Sequence, residues 1–451
     1  MAPTPFLALT RLAGIALGLS SLVAPALAQS SSPAQSGAAR PSAPAVAQAT
    51  RATLRTEFAD PINAAQELLR AGQAQEAMQR LNQAAALPDP TPQETMLLHR
   101  TRAAVAQQLG QNSVVVDSLD KALQTALVSA AEEPGLLEAV VSYAFREKDF
   151  ARVARWSQRY FELGGSNRAI SLMRVQSLLS LADEPGALKV LSVVVATDER
   201  DGRAVSESQW RLLWQLQRKH DAPRAVATLE RLVSQFPRPE NWRLLIAEGA
   251  QQAGDSERVL VMFYRLLRAT GGMDDADTYE ALVGSALGLG QPAEALLVVE
   301  EGFGRGLLGQ GPRAAEHQRL RDRARRSAQA DQNDRPAAEA AAKAAPSGDA
   351  LVALGWAQAS ALNPQSAPQQ VDSALRLIEQ GLAKGGLRRP VEARLQQGIS
   401  QWMVGRKDAA RQTLRSVADQ AGGDPLAQAA RQWSLWAQSD GALLASPALK
   451  P

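Results

Sequence analysis

Apolar residues along this chain recur at intervals of three and four, the spacing of one helix face, and Gly, Pro or short polar clusters interrupt them at short intervals. In GQAQEAMQRLNQAA, Gly72 ends one segment, Ala77 follows, and Leu81 and Ala84 continue the same face. The cadence returns at Gly110, Val115, Leu119 and Ala122, at Ala225, Leu229, Leu232 and Pro237, and at Gly290, Ala295, Val299 and Gly302. A small residue in the second helix of a hairpin lets the two helices approach closely. The larger residue one turn on (Leu81, Leu119, Leu229, Phe263, Leu414) then lies on the same face. Measured between the small residues at 77, 115, 153, 187, 225, 259 and 295, the steps are 38, 38, 34, 38, 34 and 36 residues. Ala338 lies 43 residues further, and Ala374 and Ala410 follow at steps of 36. The pattern predicts an all-α chain of about nine to ten helical hairpins stacked as an α-solenoid with a right-handed superhelical path. Each hairpin is too short to bury its apolar stripe alone, so neighbours must supply the core.

First helices carry large residues at helical spacing, such as Trp210, Leu213 and Leu216, or Trp242, Leu245 and Ile246. These belong in the core, with Trp214 the one tryptophan assigned to an open groove. Aliphatic residues almost vanish between 309 and 346, where Arg and Ala dominate RAAEHQRLRDRARRSAQADQNDRPAAEAAAKAAP. Helix propensity is high there and apolar area small, which predicts an irregular helical segment, a loosely packed hairpin or a hinge. The array accordingly divides into 57–308 and 347–437 on either side of it.

The N-terminus has one cationic side chain, Arg11, an apolar run from Leu12 to Val23, and the small-residue triplet Ala26-Leu27-Ala28. That is the layout of a cleavable secretory signal over 1–28, and it predicts a periplasmic protein. Residues 29–56 are rich in Ser, Ala, Gln and Pro and read as a disordered linker, as does the tail 438–451. The remaining segments are too charged to enter lipid, so no stable membrane insertion is expected after cleavage. Zero cysteines exclude disulfides and thiolate metal sites. A balance of 49 basic against 46 acidic side chains argues against nucleic acid as a partner. The basic cluster Arg313, Arg319, Arg321, Arg323, Arg325 and Arg326 lacks interleaved aromatics and reads as a solvated helix face.

Candidate chemistry fails on context. Gly304, Gly306 and Gly309 satisfy GxGxxG, but a helical pattern precedes them where a dinucleotide site needs a strand. The segment also repeats itself at an offset of 79: Ala295, Glu300, Gly302, Gly306 and Leu308 return as Ala374, Glu379, Gly381, Gly385 and Leu387, whereas Gly304 becomes Ala383. The recurring glycines suit helix ends and tight turns. Ser118 and Lys121 match SxxK without the motifs that accompany it in acyl enzymes and read as surface. His99, His220 and His317 form no ligand pair. No catalytic residue, metal or cofactor is expected, and the chain reads as a non-enzyme.

Over about Phe58 to Ala437 the small-large-small spacing, Trp210 and Trp242, the turn glycines Gly72, Gly110, Gly254, Gly290 and Gly405, and Pro237 resemble the tetratricopeptide repeat family. Val115, Val153 and Val259 depart from that family's alanine. More narrowly, a tryptophan opening each of two successive hairpins, then GQPAEA and a Gly-rich exit, is similar to periplasmic tetratricopeptide proteins that accompany TonB, ExbB and ExbD. That resemblance implies an accessory of TonB-dependent uptake. The resulting expectation is a scaffold that binds a protein partner on the concave face lined by first helices. Arg70, Arg100, Gln108, Glu138, Arg146, Trp214, Arg218, Glu248 and Gln252 are the residues placed there. A scaffold of polysaccharide export or cell-wall assembly is the alternative with a different partner, and an enzyme carried on a solenoid the alternative of another class.

Overall fold

The computed structural model describes residues 54–439, apart from 253, 255, 363–366, 421, 423 and 424. The signal, most of the linker and nearly all of the tail read from the sequence lie outside the described residues. Twenty helices and no strand are present among the described residues, and the chain separates into two compact units at His220/Asp221 rather than at 309–346.

The first unit contains α1 (Thr56–Arg70), α2 (Ala74–Ala85), α3 (Pro92–Gln108), α4 (Asn112–Gln124), α5 (Glu133–Arg146), α6 (Phe150–Glu162), α7 (Arg168–Ser180), α8 (Glu184–Arg200) and α9 (Glu207–His220). Consecutive helices pair as antiparallel hairpins, and the first helices α1 and α3, and α5 and α7, also touch each other. Such first-helix contacts make the array an α-solenoid. The core follows the sequence pattern, with Ala77, Val115, Val153 and Ala187 buried where helices approach. Leu81, Leu137 and Leu191 fill the adjoining layers, each contributing about 1.5–3 kcal/mol by burial.

The turns inside the hairpins share one geometry. Gly72 and Gly110 take φ of 78° and 69°, and the next residue's N–H reaches back to close the helix, Gln73 to the Leu68 carbonyl and Gln111 to the Ala106 carbonyl, each at 2.9 Å. At the equivalent places Lys148 and Ala182 adopt φ of 59° despite carrying a Cβ. A left-handed conformation costs an L-residue about 1–2 kcal/mol. Ala182→Gly is therefore expected to raise stability by about 0.5–1 kcal/mol, the reverse of the usual sign of this substitution, as read by urea unfolding.

Glu94 anchors the start of α3. It closes a capping box with Thr91 (Glu94 N–H to Thr91 Oγ1 at 3.2 Å, Thr91 N–H to Glu94 Oε2 at 2.9 Å) and receives Arg55 Nε and Nη2 at 3.0 Å each. The Arg55 hydrogen bond above all holds the Glu94 carboxyl down at about 2. This one carboxylate therefore joins the entry of α1 to α3.

The second unit runs through α10 (Ala222–Gln235), α11 (Pro239–Gln252), α12 (Glu257–Ala269), α13 (Ala276–Gly288), α14 (Pro292–Gly304), α15 (Ala314–Ala344), α16 (Asp349–Ser360), α17 (Pro368–Lys384), α18 (Pro390–Met403), α19 (Lys407–Gln420) and α20 (Pro425–Gln438). Ala225, Val259, Ala295, Ala374 and Ala410 are buried as the spacing predicts, but Ala338 is exposed. The reason is α15. Instead of a loosely packed hairpin or hinge, 31 residues form one helix, because 314–344 holds strong helix formers and no glycine. Its packed side buries only His317, Ala324 and Ala342, and charged pairs supply what apolar area does not. Arg313 meets Asp277 at 2.6 Å and Glu280 at 3.0 Å, and Arg321 and Arg325 meet Glu300.

The 79-residue echo has a structural meaning. Glu300 in α14 and Glu379 in α17 each pair with an arginine further along the chain, Arg321 in α15 and Arg406 just before α19. Gly306 and Gly385 are turn residues with φ of 69° and 74°. Gly302 and Gly381 lie in the last turns of α14 and α17 at close contacts: a Cβ on Gly302 would sit 2.7 Å from Leu308 Cδ1, and one on Gly381 2.7 Å from the Gly348 carbonyl oxygen.

The last helix folds the second unit back on itself. Besides packing on α19, α20 reaches α11 and α12, where Gln432 Nε2 donates to the Leu245 carbonyl at 2.8 Å and Trp433 Nε1 to the Met262 carbonyl at 3.1 Å. Gly249 makes room, since a Cβ there would run into the Gln432 amide. Every residue from Val259 to Leu267 of α12 is buried as a result.

Candidate protein-binding face

The nine residues that the sequence assigns to a concave face have three fates. Arg100 and Glu138 are committed inside the chain. Arg100 Nη2 pairs with Glu132 Oε1 at 2.6 Å, and Glu138 Oε1 accepts the Tyr160 hydroxyl at 2.6 Å. Both act as ties, Arg100 from α3 to the start of α5 and Glu138 within the α5/α6 hairpin, so neither stands ready for a partner. Trp214 is 4% exposed, so it belongs to the core like Trp210 and Trp242 and not to an open groove. Glu248 is half-buried and has an interaction of its own, in the unit that α20 closes. The side chain of Gln252 lies outside the described residues.

Four candidates remain exposed, Arg70, Gln108, Arg146 and Arg218, all in the last turns of first helices. Arg70, Gln108 and Arg146 stand two residues before the left-handed residues Gly72, Gly110 and Lys148, so the hairpin register repeats them at one position of successive first helices. Two of these arginines rest on an aromatic ring of their own helix. The Arg146 guanidinium carbon is 5.2 Å from the Tyr143 ring centroid, and that of Arg218 is 5.4 Å from the Trp214 centroid. The ring faces hold each cation in place by cation–π attraction while leaving its forks free. Tyr143, partly buried against the core, was missed by a search for polar residues, although an aromatic three residues before an arginine on a helix is visible in the sequence.

The inner joints of this unit are ionic as well as apolar. Asp120, buried on α4, accepts Trp156 Nε1 at 2.8 Å and pairs with Arg155, while Arg152 lies 3.4 Å away. Ser118, expected at the surface, is 2% exposed, because it shares a buried face of α4 with Val115 and Ala122, three residues before it and four after. Lys121 stays exposed, so the SxxK pair is split between core and solvent.

The histidines are scattered. Burial above all holds His99 down to about 4. His220 meets Glu184 at 2.7 Å, and His317 lies against Glu280 at 2.6 Å while its Nδ1 accepts the Gly309 N–H at 3.0 Å. No group of three metal-ligating side chains converges among the described residues, and no described helix is long and apolar enough to cross a membrane. Gly304 is the last residue of α14, so a helix, not a strand, feeds the GxGxxG segment.

No protein-family model matches this chain, and no curated protein matches it. Among solved structures it is similar to the tetratricopeptide domain of P58(IPK), at 14% identity over 86% of this chain and 98% of that one, with a TM-score of 0.21. It is also similar to yeast Tom70, at 12% identity over 87% and 98% with the same TM-score. A circular tandem repeat protein follows at 16% identity, 85% and 89% coverage and a TM-score of 0.10. At such scores these likenesses add nothing to what the hairpins themselves establish.

Proposed function

We propose that the protein is a non-catalytic, tetratricopeptide-like scaffold that holds a protein partner against the first helices of residues 54–220. The observation that carries this reading is the pair of exposed arginines seated on aromatic rings, Arg146 on Tyr143 and Arg218 on Trp214. Arg is among the residue types that dominate protein interfaces, and a guanidinium stacked on a ring gives up little freedom when a carboxylate or backbone carbonyl meets it.

The finer reading is a periplasmic accessory of a TonB, ExbB and ExbD system. Its support is the signal-like N-terminus and the resemblance of the 207–308 segment. Pull-down from envelope extract with the wild-type mature chain is expected to recover homologues of TonB, ExbB or ExbD. Arg146→Glu combined with Arg218→Glu is expected to cut that recovery by about tenfold, equivalent to about 1.4 kcal/mol. Undiminished recovery by the double variant would remove the proposed face, and exclusive recovery of polysaccharide-export proteins would remove the TonB assignment.

A further inference from the structure

The six arginines of the 313–326 cluster separate into two sets. Arg313, Arg321 and Arg325 are spent on Asp277, Glu280 and Glu300, fastening α15 to α13 and α14. Arg319, Arg323 and Arg326 are exposed and make no ion pair or hydrogen bond. At 3.6 residues per turn these three lie within about 60° of one another and on the side opposite His317 and Ala324, forming a stripe about 10 Å long. We propose that this outward stripe of α15 is a second docking surface, and that its occupant is an acidic helical segment of another protein.

The chemistry narrows the occupant. Guanidinium forks spaced at i, i+4 and i+7 match carboxylates at the same spacing on a facing helix, each able to accept two hydrogen bonds. Residues 1–53 contain no Asp or Glu and residues 440–451 contain Asp440 alone, so the chain's own ends do not supply the carboxylates. Glu316 and Asp322 flank the stripe, Asp322 accepting Gln318 Nε2 at 3.3 Å. These two carboxylates repel a phosphate backbone but can meet lysines at the edges of a mixed-charge helix, and the stripe offers no aromatic on which bases could stack.

The test uses the full chain and a fluorescent helical peptide with Glu at i, i+4 and i+7 and Lys at the flanks, followed by anisotropy. Wild type is expected to bind it with an affinity that falls as salt rises. The triple variant Arg319→Glu, Arg323→Glu, Arg326→Glu is expected to bind at least about tenfold more weakly, since three exposed pairs become three repulsions. Circular dichroism melts must superimpose for the two proteins; if the Glu variant does not fold, the Arg→Gln triple takes its place with the same expected direction. Absence of peptide binding by wild type, affinities within about twofold of each other, or a preference of wild type for a single-stranded oligonucleotide over the peptide would overturn the proposal.

Discussion

Arg265→Met is expected to lower the unfolding free energy by about 3–5 kcal/mol, because it strands a buried carboxylate. Arg265 is 7% exposed and Glu294 2%, and the pair is bidentate, with Nε to Oε1 at 2.8 Å and Nη2 to Oε2 at 2.7 Å. The guanidinium carbon also lies 5.0 Å from the Trp356 ring centroid, and Gln291 accepts from Nη2. One side chain of α12 thus joins α14 to α16 at the centre of the second unit. The cost of losing it is the desolvation of Glu294 with no cation to answer it, more than the net value of the pair. The double variant Arg265→Met with Glu294→Met should accordingly recover most of the loss. Urea unfolding followed by tryptophan fluorescence reads both. A single-variant loss below about 1 kcal/mol, the size of an exposed pair, would show that this ion pair is not buried.

Gly355→Val is expected to cost about 3 kcal/mol or more, for a reason that involves no lost contact. A Cβ on Gly355 would lie 2.6 Å from the Ala374 carbonyl oxygen and 3.0 Å from the Ile378 nitrogen. Both obstacles are backbone of α17, so no rotamer change relieves them. Gly348 and Gly381 extend the same contact, each facing the other's carbonyl oxygen. The α16/α17 hairpin therefore closes through its glycines, as the small-residue spacing requires in more moderate form elsewhere. Gly284→Ala is the matched control: it sits exposed in the interior of α13 with open space around it, and should gain about 0.5–1 kcal/mol. Equal effects at Gly355 and Gly284 would contradict the close packing of α16 on α17.

The backbone of the solenoid was legible because a helix face leaves a period in one dimension. Ala77, Val115 and Ala187 are buried where the spacing placed them, and Gly72, Gly110, Gly254, Gly290 and Gly405 take the left-handed turns assigned to them. Ala338 failed because α15 has helix propensity without an apolar stripe, so the small-residue spacing there marked no second helix. The candidate face was less legible. Helical spacing identifies the side of Arg100 and Glu138 but not their carboxylate and phenol partners 32 and 22 residues away. Nor does any local pattern announce that α20 returns to α11 and α12, since Gln432 and Leu245 are 187 residues apart. Trp214 was misplaced for the same reason, its cover being set by tertiary packing.

The central claim, a partner held on the first helices of residues 54–220, is tested most directly by site-specific photo-cross-linking. A benzophenone side chain is placed in turn at Gln108, at Arg146 and at Val193, the last being 63% exposed on the second helix α8. The protein is irradiated in cells that produce it, and adducts are identified by mass spectrometry. One common partner cross-linked from Gln108 and Arg146 and not from Val193 is the expected result; adducts at Val193 with none at Gln108 or Arg146 would contradict it.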